Sequence, residues 1–380
     1  MESAYKRCSC CVMDTTDAEI QFDENGLCQR CVEYKRGILP WWNKGVGHEK
    51  ELQRIVADIK KSGEGKPYDC ILGLSGGFDS TYMLHFAVKE LGLRPFVFHV
   101  NAGWNYPLAE ENIRRIVDKL GVDLHIEEVD WEELRQFQLA FFRSGLASLD
   151  IPQDHAFVSI LDKFAKKLGI KYILNGGNIS TEVFVNPNSW FKNCGAGTDM
   201  RFIRDILRRH CDIELKSYPF TNVIRRKIVF PYIYGIKTIK LLNYTPYIKR
   251  DAEQLLIDEY GYVPYKQKHF EDILTKFIEG YWLPKRFGFD VRLPQLSSLV
   301  VTGQMTRDEA LQQLSQPPLT EEEGKELFSL VAKRLEISEA ELQSYMDMPF
   351  PTYQYKNSNW MYSIGGKAMF ALGLDRLIRK

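Results

Sequence analysis

The chain has 380 residues, 44% of them hydrophobic and 26% charged, with 50 basic side chains balanced by 50 acidic ones. That length and mixture describe a soluble globular protein with one large core and smaller units attached. A formal net charge of zero leaves no global field to draw the chain onto nucleic acid or an acidic membrane. No apolar run approaches the length of a membrane span, and an N-terminus carrying Glu2, Lys6 and Arg7 lacks a signal-peptide core. A cytoplasmic protein is expected, with neither nucleic acid nor membrane among its partners.

Five of the eight cysteines fall within the first 31 residues, as Cys8-x2-Cys11, sixteen intervening residues, then Cys28-x2-Cys31, with Cys10 as a spare. Two such knuckles predict a zinc ribbon in which Cys8, Cys11, Cys28 and Cys31 close a tetrahedral site around a structural Zn2+. Four thiolates leave no open coordination position for chemistry. Cys10 could substitute for a neighbour. Between the knuckles, residues 18–22 alternate like a short strand and 23–26 form a turn, so residues 1–45 read as a zinc-ribbon module.

A helix is predicted over 48–62, and Lys60 to Pro67 reads as a turn. An apolar strand then ends at Leu74 and runs into Ser75-Gly76-Gly77-Phe78-Asp79-Ser80 and a helix over about 80–91. A strand that turns through paired glycines into a helix builds an anion cradle. The glycines let the backbone approach, the amides point inward, and the helix N-terminus adds positive potential. Ser75 and Ser80 can donate hydroxyls to phosphate oxygens, and Asp79 can hold Mg2+ against them.

Further strands are predicted at 94–100, 122–129 and 171–174, alternating with helices at 107–120, 131–142 and 152–168. That is the pattern of an open parallel α/β sheet, here assigned to residues 46–235. Ligands of such sheets bind at the carboxyl ends of the strands. Residues 236–380 read as a mainly helical C-terminal region that contacts substrate or partner, with helices at 246–260, 269–279, 306–314, 321–335 and 338–346. Thr320 to Glu323 forms a capping box, and Gln316 to Leu319 forms a linker. The last stretch, with Trp360 and Tyr362 near Gly365 and Gly366, reads as packing. Residues 201–250 hold twelve Lys/Arg against three Asp/Glu, a surplus of about nine positive charges. Arg204, Arg208 and Arg209 share one helical face. This stretch is either a solvated face or a surface that meets an anion.

Ser75-Gly76-Gly77-Phe78-Asp79-Ser80 resembles the SGGxDS loop of the PP-loop ATP pyrophosphatase superfamily, whose members split ATP into AMP and pyrophosphate. The loop lacks the lysine of a GxxxxGK[ST] motif. The resemblance implies the corresponding fold and ATP and Mg2+ as cofactors. It assigns Ser75, Gly76, Gly77, Asp79, Ser80, Asn101, Gly176 and Gly177 to the nucleotide and Asp79 to magnesium. Glu182 would complete the metal site, and Lys227 would be the cation that stabilises pyrophosphate. An ordinary turn residue remains the alternative for Asn101, and a solvated helix-end glutamate for Glu182.

A longer pattern narrows the acceptor. It comprises Cys8-Ser9-Cys10-Cys11-Val12-Met13-Asp14, the 99–105 segment His-Val-Asn-Ala-Gly-Trp-Asn, Phe287-Gly288-Phe289-Asp290-x-Arg292, Leu296-Ser297-Ser298-Leu299 and Gly303-Gln304-Met305-Thr306-Arg307-x-Glu309-Ala310-Leu311. With the loop, these segments resemble the N-acetyl sugar amidotransferases of bacterial surface-polysaccharide and O-antigen synthesis. The resemblance implies adenylation of an acetamido group on a nucleotide-linked sugar, followed by displacement with ammonia. It implies partners too: a separate glutaminase subunit and a barrel-shaped protein that channels ammonia, resembling the glutaminase/cyclase pair of histidine biosynthesis. Arg292 and Arg209 are the candidate contacts to substrate phosphate or carboxylate.

Lys192-Asn193-Cys194-Gly195-Ala196-Gly197 lacks the first glycine of a GxCxG nucleophile elbow, which agrees with ammonia made elsewhere. Two alternatives stand beside this reading. One is a tRNA-thiolating PP-loop enzyme, which the absence of a second close cysteine pair disfavours. The other is a non-catalytic nucleotide-binding docking module.

Overall fold

A computed structural model describes residues 5–360, so the expected packing around Tyr362, Gly365 and Gly366 lies outside the described residues. Five parallel strands form the sheet: β1 (Cys70–Gly73), β2 (Pro95–Asn101), β3 (Leu124–Glu128), β4 (Tyr172–Leu174) and β5 (Lys237–Ile239), in the order β3-β2-β1-β4-β5. Central β1 pairs with β2 (Ile71 opposite Phe96) and with β4 (Ile71 opposite Ile173). Successive side chains of a strand face opposite sides. Ile71 accordingly enters one apolar core, and Cys70 and Leu72 enter the other.

The first core joins the sheet to the helices Trp131–Ser144 and Ile151–Lys167, the N-terminal cysteines and the C-terminal helices. The second lies under the helices Glu49–Ser62, Phe78–His85, Pro107–Leu120 and Lys249–Tyr260. Local signals place several of these ends. Pro107 starts its helix and left-handed Gly121 stops it. Thr306 and Thr320 each form a capping box, with Glu309 and Glu323.

The fifth strand differs from expectation. It is three residues long, lies past residue 235 where the pattern turns helical, and offers too short an alternation to read. Its partners define it: the Lys237 amide donates to Lys171 O at 2.8 Å and the Asn175 amide to Ile239 O at 3.0 Å. The helix expected from 269 is likewise shorter, Ile273–Phe277, followed by a π-helical turn, Ile278–Trp282. His269 has φ +67°, which interrupts a helix, and the Asp272 side chain caps the new start by accepting from the Thr275 amide at 2.7 Å. Residues 271–273 instead pair with the segment after β2. An antiparallel bridge joins Asn105 to Asp272, and the Ile273 amide donates to Trp104 O at 2.8 Å.

The strand expected at 18–22 is reduced to a single bridge, Phe22 to Cys28. The cysteine module is clamped to the opposite end of the chain. The Val12 amide donates to Ser297 Oγ at 3.2 Å, and Arg307 donates to Cys11 O at 3.1 Å and Cys8 O at 3.0 Å. Arg307→Ala should lower the unfolding free energy by about 1.5–3 kcal/mol, the usual worth of hydrogen bonds from a charged donor, as read from urea denaturation.

Candidate active site

Strand order reverses between β1 and β4, because β2 and β3 continue to one side and β5 to the other. The carboxyl ends at such a switch point open a crevice, and the loops at 75–80 and 175–178 leave from there. Gly76 has φ +81°, and a Cβ on it would stand 2.6 Å from Ala109 O. The loop is tied by the Ser75 amide donating to Ser80 Oγ at 3.2 Å, a Ser75 to Ser80 hydroxyl contact at 3.1 Å and the Gly77 amide donating to Ser75 Oγ at 3.2 Å. Gly77 then caps the helix Phe78–His85. The facing turn meets it backbone to backbone: a Cβ on Gly176 would lie 2.6 Å from Asp79 O.

Charge converges just above this contact. Lys268 Nζ lies 2.8 Å from Asp79 Oδ2 and 2.5 Å from Glu182 Oε1. Burial opposes the charge of Lys268, but the two carboxylates outweigh it and hold the ammonium well above its ordinary range. Asn178 ties the parts together. Its Nδ2 donates to Asp79 Oδ1 at 3.3 Å while its Oδ1 caps the helix Ile179–Glu182 through the Thr181 amide. The Tyr247 hydroxyl stands 3.5 Å from Asp79 Oδ1. Asp79 and Glu182, which share the Lys268 ammonium, are the carboxylates that could hold magnesium at this loop. Ordered phosphate oxygens would complete such a site.

The cleft over the loop has a volume of about 820 Å3 and is lined by Ser75, Gly77, Asp79, Ser80, Gly176, Gly177, Glu182 and Arg292 among the residues expected from sequence. Gly76 lies in the loop behind this lining. Three expected residues lie elsewhere. Asn101 ends β2 one strand away from the switch point; it donates to Glu128 Oε1 at 3.2 Å and accepts from the Gly103 amide at 3.0 Å, as a turn residue does. Lys227 is exposed on the π-helical segment Arg225–Ile233, whose neighbouring Arg226 turns inward to the cleft and to Asp162 at 3.6 Å. Arg209 packs 3.7 Å over the Tyr353 ring and pairs with Asp205 at 3.5 Å.

Arg292 reaches the cleft wall, but Asp290 at 2.6 Å and Gln313 O at 3.1 Å take up its guanidinium. The cation at the loop is therefore Lys268, which sequence reasoning missed along with Asn178. The dense charge of Lys266-Gln267-Lys268-His269, just before the helix expected from 269, is the signal in the sequence.

Cys8, Cys11, Cys28 and Cys31 are fully buried, and their four sulfurs lie within 4.8 Å of one another. Amides of Cys10 and Cys28 point at Cys8 Sγ (3.4 and 3.2 Å) and that of Met13 at Cys11 Sγ (3.5 Å). Such donors stabilise thiolates, so the cluster is compatible with zinc and is closed to substrate. Cys10 lies outside it. Cys194 is buried, and burial pushes its thiol up, which does not suit a nucleophile.

With this geometry in hand, comparisons with known proteins divide the chain. Residues 69–145 match the phosphoadenosine phosphosulfate reductase domain, and residues 271–368 match the C-terminal domain of LPS biosynthesis protein WbpG-like proteins. The first match spans the phosphate loop and its flanking strands in a parallel α/β sheet, and the second spans the mainly helical C-terminal region. An uncharacterized protein of Methanocaldococcus jannaschii is 24% identical over 84% of this chain and 97% of its own. One of the subunits of a glutamine-hydrolyzing GMP synthase of Pyrococcus horikoshii is 27% identical over 36% of this chain and 41% of its own.

Among solved structures, the NH3-dependent NAD synthetase of Campylobacter jejuni aligns with 80% of this chain and 99% of its own at 15% identity, with a TM-score of 0.29. A score this low carries no weight. The two matched domains join a segment similar to a phosphoadenosine phosphosulfate reductase domain to a C-terminal segment similar to LPS biosynthesis proteins. No helix among the described residues is long and apolar enough to cross a membrane.

Gly176→Ala should force the two turns apart and weaken ATP binding about tenfold or more, equivalent to about 1.4 kcal/mol, in calorimetric titration. Stripping metal from the cysteine cluster with a chelator should lower the melting temperature and release the bound metal, read by a colorimetric zinc assay. Melting unchanged after full release would assign the cluster a role other than structural.

Proposed function

We propose that the chain is an ATP-dependent amidotransferase that converts an N-acetyl group of a nucleotide-linked sugar into an acetamidino group. In this reading the substrate is a UDP-linked diacetamido uronic acid of bacterial LPS O-antigen synthesis. One observation carries the proposal. The cleft is lined both by the Ser75–Ser80 loop with Lys268 and by Arg292, Gln295 and Gln313 of the segment that matches LPS biosynthesis proteins.

The chemistry follows from what the residues can hold. The loop amides and the Ser75 and Ser80 hydroxyls receive the β- and γ-phosphates, and Lys268 neutralises charge as pyrophosphate departs. Asp79 and Glu182 would hold a magnesium ion, which would supply positive charge against the phosphates. The acetamido oxygen attacks the α-phosphorus, its P–O bond forms, and the bond to pyrophosphate breaks. Ammonia then adds to the imidate carbon, and AMP leaves with the former acetyl oxygen.

The buried thiols of Cys70 and Cys194, both pushed up by burial, do not favour the sulfur-transfer alternative. Ammonia would come from a separate glutaminase through a barrel-shaped partner, in the cytoplasm, where nucleotide sugars and ATP are available.

Incubating the full chain with ATP, Mg2+, ammonium and the UDP-diacetamido uronate should give AMP, pyrophosphate and a product in which NH replaces O, resolved by mass spectrometry. Stoichiometric ADP in place of AMP would sink the proposal. Lys268→Met and Asp79→Ala should each reduce turnover by about a hundredfold or more, in line with loss of a transition-state charge contact, while circular dichroism stays unchanged.

A further inference from the structure

A second cavity of about 400 Å3 adjoins the cleft and shares Gly73, Ser75, His269 and Glu271 with it. Five carboxyls line it, those of Asp150, Asp154, Glu271, Asp272 and Glu279, together with the uncharged polar groups of Ser75, Asn105, Gln153 and Thr275 and two histidines. No residue of the phosphate loop's machinery explains this concentration of carboxylates beside a site that must receive the polyanion ATP.

The decisive feature is a set of buried acceptors without donors. Gln153 is only 5% exposed, lines the cavity, and its Oε1 has no hydrogen-bond partner among the described residues. Glu279, 7% exposed, gives one oxygen to His269 Nδ1 at 3.0 Å, and its Oε2 is likewise unpartnered. Asp150 Oδ1 is the third. A buried polar atom left unpaired costs about 1–3 kcal/mol, so three oxygens together point to a ligand that brings hydrogen-bond donors.

The charge points the same way. Among cavity-lining residues the basic groups are His99 and His269. Burial lowers His99, whose Nδ1 faces Leu74 O at 2.7 Å, so it stays neutral. Burial opposes the charge of His269, but Glu279 outweighs it and raises the group to about 9. One cation thus faces five carboxyls. Burial raises Asp154 to about 6 and Asp272 to about 7, and it pushes Asp150 and Glu271 upward.

We infer that this cavity is a binding site for ammonium, where the acceptors of Asp150, Gln153 and Glu279 and the carboxylate of Asp154 receive its four N–H groups and one carboxylate takes its proton. The inference rests on the nitrogen-transfer reading above and deepens it by naming where the nitrogen waits. In the proton step an N–H bond breaks and an O–H bond forms on the carboxylate, and the lone pair stays on nitrogen as neutral ammonia. Carboxyls raised to between about 6 and 7 are matched to that exchange near neutral pH. The shared wall at Ser75 and Glu271 opens toward the phosphate loop, where an adenylated acceptor would lie.

The test uses the full chain and ammonium chloride, with sodium chloride at equal ionic strength as reference, read as melting temperature. Ammonium should give a saturable stabilisation that sodium does not, larger at pH 8 than at pH 5, where Asp154 and Asp272 are protonated. Asp150→Asn and Asp154→Asn should each abolish the ammonium-specific shift while ATP still stabilises the protein. Ammonium acting no differently from sodium, or a shift unchanged in both variants, would overturn the inference. Loss of ATP stabilisation in both variants would also overturn it, because the cavity would then belong to the nucleotide.

In turnover, the same variants should raise KM for ammonium about tenfold or more with kcat less affected. An ammonium-specific shift without AMP formation would refute the proposed reaction and leave the cation site standing.

Discussion

Everything at the candidate site depends on a backbone-to-backbone approach that only a glycine allows. Gly176 sits so close to the peptide of Asp79 that a single methyl group would occupy the space of its carbonyl. That approach brings the turn after β4 onto the phosphate loop after β1 and closes the crevice at the point where the sheet changes direction. Asn178 can then bridge to Asp79, and Glu182 arrives opposite it. The carboxylate pair, the lysine between them and the cleft above are consequences of two strands' ends meeting without side chains in the way.

The positions that sequence revealed best are those where local chemistry and the final fold agree. The cysteine spacing, the Ser75–Ser80 loop, the proline-initiated helix at Pro107 and the capping boxes at Thr306 and Thr320 each carry their own geometry within a few residues. Tertiary pairing decided the others. β5 exists because β4 offers it an edge, and nothing in Lys237-Thr238-Ile239 alone says strand. Asn101 is a nucleotide contact by resemblance alone, and in the structure it ends a strand one place away from the switch point, bonded to Glu128 and the Gly103 amide.

The cation shows the same division. The resemblance assigns the pyrophosphate cation to Lys227, but the turn carrying it points Arg226 inward and Lys227 to solvent. Lys268 reaches the loop from 189 residues further along the chain than Asp79, because residues 271–273 pair with the segment after β2. The left-handed backbone at His269 is part of that path. Such long-range placement leaves a trace in sequence only as unexplained polarity.

The clamp between Arg307 and the cysteine knuckles has a consequence for the order of synthesis. The carbonyls of Cys8 and Cys11 find their guanidinium partner 299 and 296 residues later, so the knuckles leave the ribosome long before the surface that covers them exists. Until then the four sulfurs lack the surface that buries them in the folded chain, and local bonds such as those from the Cys8 amide to Met13 O at 2.8 Å and from the Ser9 amide to Gly26 O at 3.0 Å are what the segment can make by itself. The docking of Arg307 is what finally encloses that end of the chain.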